Sequence, residues 1–144
     1  MEYEGMTGDD LANVRALNRA WLDIATVGSR RLSQLSPRRR DRIAAAPFLL
    51  FSLRENDLAL WERLLAEPAQ GDLFQGGAAV TGSLRHLQAT ALAFLWALAR
   101  RNPYVLRLIS GAPLYWCERI ASATLVQVTA AAVRQELALS LIHI

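Results

Sequence analysis

The chain has 144 residues, of which 53% are hydrophobic and 20% charged. That balance excludes a disordered segment, which needs low hydropathy and high charge, and the length suits one domain with a real core. A formal net charge of +3 is mild, far short of a protein that coats nucleic acid.

Thr7-Gly-Asp-Asp10 has the form of a capping box, an oxygen cap with an acid three residues on. Leu11, Val14, Leu17, Trp21 and Ile24 then recur at the spacing of one helical face, which predicts a helix over 9–31. Ser36-Pro37 signals a second start, because serine caps and proline fits the first turn; this helix is placed at 37–45. Pro47 disfavours helix just before it. The following FLLFSL has no clean period and reads as a short buried helix or one extended segment. Helix is favoured, since no partner strand is visible elsewhere.

Asn56-Asp57 caps a helix at 57–67 with Leu58, Trp61, Leu64 and Leu65 on one face, and Pro68 ends it. Residues 68–83 hold four glycines and form the main loop between two helical halves, with Leu73 and Phe74 expected to pin it. A central helix over 82–101 follows. Leu84, Leu87, Ala91, Leu92, Leu95 and Leu98 form its dry face, and Arg100 and Arg101 suit its C-terminal dipole. Asn102-Pro103 opens a short helix to 109, Gly111 stops it, and Pro113 opens the last one, 113–138. The expected architecture is all-α, a single domain over 1–138 with about six helices in an orthogonal or bundle-like arrangement.

The final residues, LSLIHI at 139–144, match one reading frame of a transposon-type sequencing adapter. They are expected to be non-native, leaving His86 as the histidine of the native sequence and a natural end that lies further on. The acidic start MEYEGMTGDD lacks an apolar h-region, and no apolar run reaches the roughly 18 residues of a bilayer span, so a cytoplasmic protein without a membrane span is expected. Cys117 is the one cysteine; an intrachain disulfide is excluded and a buried thiol expected.

All 16 basic residues are arginine. Arg30, Arg31, Arg38, Arg39, Arg40 and Arg42 gather around one helix junction. They are candidate nucleic-acid contacts, since guanidinium pairs well with phosphate oxygens. The plainer alternative is a solvated helix face, with Asp41 neutralising part of the charge and a GC-rich bacterial codon usage explaining the arginines. No aromatic interleaves them, so stacking on single strands is not indicated. Residues 101–121 admit a helix-turn-helix that would offer Tyr115, Glu118, Arg119 and Ser122 to bases, although a kinked hairpin explains them as well. There is no phosphate loop, dinucleotide fingerprint or metal-ligand pattern, so no catalytic residue, metal or cofactor is assigned. Trp21, Trp61, Trp96 and Trp116 read as core, each indole N–H finding an acceptor, with Trp61 the one open to a partner. Phe48, Leu50 and Leu53, joined by Trp61, form a candidate protein interface, a homodimer seam in the simplest case.

The stretches LNRAWLDIA and LSPRRRDRIAAAPFLLFSLREND resemble part of the D subunit of the bacterial flagellar master regulator. Matching positions are Asn18, Leu22, Ala25, Leu35, Ala44, Leu49, Leu50, Arg54 and Asp57, within about residues 17–57. A segment of the family between the two pieces is missing, and residues from 84 onward do not resemble it. The resemblance implies a helical dimer that acts with a partner subunit in transcription activation. The expected role is a non-enzymatic interaction or regulatory protein; nucleic-acid binding through the arginines is the alternative, and a helical small-molecule binder or enzyme a third class.

Overall fold

Eight helices and one two-stranded ladder account for the residues that the computed structural model describes, 5–66, 82–134 and 137–140. The first helix, α1, spans Gly8–Gly28 and starts on the expected capping box. Thr7 Oγ1 accepts from Asp10 N–H at 3.1 Å, and the Asp10 carboxylate accepts from Thr7 N–H at 2.9 Å. It stops short of 31. Ser29 turns extended and its hydroxyl accepts from Leu32 N–H, so a separate turn, α2, occupies Arg30–Ser33. A serine able to cap its own backbone breaks a helix that periodicity alone would continue. The next helix, α3, runs over Pro37–Ala44 from the Ser36 cap.

FLLFSL is extended rather than helical. Phe51–Ser52 forms β1, which pairs antiparallel with β2, Leu139–Ser140, in the register Phe51 opposite Ser140. The partner strand is supplied by the first two residues of LSLIHI, the stretch whose sequence sets it apart as an expected non-native tail. Asn18 holds the approach to β1 in place. Its amide donates to Phe48 C=O at 2.9 Å and to Ala44 C=O at 3.2 Å, while its carbonyl accepts from Leu50 N–H at 2.8 Å.

After β1 come α4 (Leu58–Ala66), α5 (Gly82–Arg101) and α6 (Pro103–Ser110). The expected loop at 68–83, with Leu73 and Phe74, falls almost wholly outside the described residues. The long last helix is two, α7 (Leu114–Ala121) and α8 (Leu125–Arg134). Thr124 and Gln127 make a second capping box between them: Gln127 N–H reaches Thr124 Oγ1 at 3.1 Å and Thr124 N–H reaches Gln127 Oε1 at 2.9 Å.

Central α5 packs against α1, α6, α7 and α8, and the whole of its predicted dry face is buried. Gln88, on the same buried face, donates to Ala132 C=O at 2.9 Å and accepts from Leu137 and Ala138 N–H at 2.7 and 2.9 Å. Trp61 and Trp116 meet edge to face at 5.4 Å, and Trp21 lies against Phe51 at 5.5 Å. The indoles of Trp61 and Trp96 donate to backbone carbonyls, whereas those of Trp21 and Trp116 find no acceptor among the described residues. No helix among the described residues is long and apolar enough to cross a membrane.

Candidate nucleic-acid interface

Two serine caps, Ser29 and Ser36, fix α2 and α3 as short consecutive helices and thereby set their arginines on the surface. Arg30, Arg31, Arg38, Arg39 and Arg42 are exposed, and none of these side chains has an ion pair or hydrogen bond among the described residues. Arg40 differs: it is half-buried and its Nε donates to Leu35 C=O at 3.2 Å, bracing the α2–α3 turn.

The one acid of the cluster, Asp41, is taken by Arg19 of α1. That same guanidinium donates to Pro37 C=O at 3.2 Å and meets Asp23 at 3.3 Å. Asp41 therefore spends its charge on α1 and leaves the α3 arginines uncompensated. Residues 29–42 carry six arginines and one aspartate within a chain of net +3, so the rest of the chain is net acidic and the charge is lopsided. Guanidinium forks on an exposed, aromatic-free stretch suit phosphate oxygens and read no bases by stacking.

The expected protein interface loses most of its members. Leu53 and Trp61 are almost fully buried within the chain and Leu50 nearly so, while Phe48 remains 49% exposed. The reason is the Asn18 clamp and the β1–β2 pairing, which draw the segment inward, and the Trp61 indole, which donates to Leu53 and Arg54 C=O at 3.1 Å each. One open apolar stretch is on α6, where Leu108 is 72% and Tyr104 53% exposed one helical turn apart. The Leu49 N–H to Ile109 C=O bond, 2.9 Å, sets Phe48 beside the last turn of that helix.

The helix-turn-helix reading of 101–121 meets tethered side chains. Tyr115 Oη donates to Glu62 of α4 at 3.0 Å and Arg119 Nε meets the same carboxylate oxygen at 3.0 Å. That carboxylate also pushes the Tyr115 phenol above its ordinary range. The α7 face that would have to enter a groove is thus pinned to the body.

Cys117 is buried, and burial pushes its thiol up to about 11, away from the thiolate a nucleophile needs. Among the described residues no group of three or more His, Cys, Asp and Glu is placed to hold a metal ion. The buried Glu55 was not anticipated from sequence. It sits in the corner between β1 and α4, just after Arg54, which adopts a left-handed φ of 55°. Burial raises the Glu55 carboxyl above its ordinary value, against the N–H groups of Glu55 and Leu53, which favour the ionised form; its Oε1 has no partner among the described residues. No family model, curated protein or solved structure matches the chain.

Proposed function

We propose that this chain is a non-enzymatic regulatory binding module that docks on nucleic acid through the arginine face of α2 and α3. The observation that carries the reading is the diversion of Asp41 to Arg19, which leaves Arg30, Arg31, Arg38, Arg39 and Arg42 exposed and uncompensated. A solvated face with no partner would gain from acids interspersed among these cations, and here the nearby acid is drawn off. The resemblance of residues 17–57 to a transcription-activating helical dimer supports a regulatory role.

The contact would be to phosphates and weakly selective for sequence, because the side chains best suited to read base edges on α7 are held by Glu62. Titration of a labelled DNA duplex by fluorescence anisotropy tests it. With about five phosphates engaged, the logarithm of the affinity falls with the logarithm of salt at a slope of about −4.5. Replacing Arg38, Arg39 and Arg42 together by serine should lower the affinity and bring the slope to about −2. An affinity and slope indifferent to the triple change refute the reading.

A second reading rests on the open apolar side of α6. Tyr104, Leu108 and Phe48 offer a seam for a second copy of the chain, which would present two arginine faces to one duplex. Sedimentation tests it at the scale of the whole molecule.

A further inference from the structure

A groove of about 590 Å³ runs between α1 and α5, on a side of α1 distinct from the arginine face. It follows α1 from Asn13 to Ile24, a rise of about 16 Å at 1.5 Å per residue. Its floor is apolar: Leu17 and Leu87 are buried, and Ile24 and Phe94 half-buried. It exists because α1 presents Ala16 and Ala20 there, side chains too short to fill the space to α5, and both are exposed. Hydroxyl, amide and imidazole groups from Thr90, Asn13 and His86 stand along the rim. The size and the ratio of apolar floor to few polar groups are those of a small-molecule site.

Charge selects among ligands. The chain has 16 arginines and none lines the groove. Among the described residues its one carboxylate is Asp23, near the Ile24 end. Arg19 meets Asp23 Oδ1 at 3.3 Å on one side, the Asp23 side chain is 56% exposed, and its second oxygen has no partner among the described residues. A carboxylate-bearing ligand would meet Asp23 as a like charge, and a cationic one would complete it.

We infer that the α1–α5 groove binds an elongated apolar molecule carrying an ammonium group, with the apolar body over Leu17, Leu87 and Phe94 and the cation at Asp23. The site is separate from the nucleic-acid reading and stands without it. Because α1 continues through Ser29 into the arginine helices, a ligand wedged against α1 occupies the element that also holds Asp41 through Arg19.

The probe is 4-phenylbutylammonium, with 4-phenylbutyrate as its charge-reversed control, titrated into the isotope-labelled full chain and followed by backbone amide shifts. Saturable shifts confined to α1 and α5, with a Kd in the millimolar range expected for so small a ligand, are the expected result, and the butyrate binds at least severalfold more weakly. Ala20→Trp fills the groove from an exposed position and should abolish the shifts while helical circular dichroism stays unchanged. Asp23→Asn should weaken the ammonium about fivefold, the scale of one exposed ion pair, and leave the butyrate no weaker. Absence of saturation, equal affinity for the two probes, or indifference to Ala20→Trp each overturns the inference.

Discussion

Asp10 and Glu55 are buried alike, each 3% exposed, and their protons obey opposite forces. Burial pushes the Asp10 carboxyl up, yet hydrogen bonds from Arg101 and Thr7 outweigh it and hold the group below its ordinary value. Its contribution to stability is present above the unfolded-state pKa and is lost as pH falls through the lowered one. Glu55 has no cationic partner to set against burial, and its carboxyl is raised. The folded protein keeps that proton where the unfolded chain has released it, so stability declines as pH rises from the usual carboxylate range through the raised value. Urea denaturation across pH should show Glu55→Gln removing this decline, by about 1.4 kcal/mol for each unit of displacement. Parallel curves for the two proteins would mean that the carboxyl is ordinary. The capping box at Thr7–Asp10 hinted at the first behaviour, though not at Arg101; nothing hinted at the second, because Glu55 stands in the polar run Arg-Glu-Asn-Asp, which reads as surface. Its burial follows from a left-handed Arg54 that folds the corner back on the core. Cys117 was legible, because it lies among Trp116 and Ile120 on an apolar helical face.

Buried amides mark the joints between elements. Asn18 fastens the run into β1 and Gln88 fastens the run into β2, each with three hydrogen bonds to main chain among the described residues. Asn18→Leu leaves Leu50 N–H and the carbonyls of Ala44 and Phe48 unanswered. The expected cost is about 2–4 kcal/mol in urea denaturation, since each stranded buried group costs about 1–3 kcal/mol and some relaxation occurs. Gln88→Leu should instead speed amide exchange at Leu137 and Ala138 while the α1–α4 amides keep their protection. A change below about 0.5 kcal/mol at Asn18, the level of a plain surface substitution, would show that solvent replaces the clamp. Both positions carried a readable signal, a lone amide four residues from large apolar residues, Val14 and Leu22 for one and Leu84 and Leu92 for the other. The break before α8 was also readable, because Thr124-Leu-Val-Gln127 is a capping box inside an otherwise continuous apolar pattern. Periodicity located α5 to the residue, since its apolar face is continuous and both ends are punctuated, by Gly82 and by Asn102-Pro103. The strand at Phe51–Ser52 was illegible, because its partner lies at the other end of the sequence.

At the scale of the molecule, two surfaces stand out beside the α1–α5 groove: the cationic α2–α3 face and the apolar flank of α6. Composition announced the first, as a run of arginines around 30–42, but not that Arg19 would reach across to remove its acid. Of the apolar run PFLLFSL, Phe48 belongs to that flank, whereas Leu50 and Leu53 are buried, since a run of that length suits a buried connection as well as a seam. If the α6 flank joins two copies, sedimentation at tens of micromolar shows a mass above the 16.0 kDa protomer. Leu108→Glu, at a position 72% exposed, should return that mass to the protomer without loss of helix. A wild-type chain that stays at protomer mass rules out the seam.

In the chain as it stands, with the LSLIHI tail attached, the β1–β2 pairing has a kinetic consequence. It brings Phe51 beside Ser140, so the chain between them must already be compact before the ladder gains anything from forming. Helical hairpins such as α6–α7 are closed by near neighbours and can assemble in microseconds to milliseconds. The ladder is therefore expected to be knitted last, so that amides of Phe51 and Ser52 gain protection after those of α5 and α6 in pulsed hydrogen exchange.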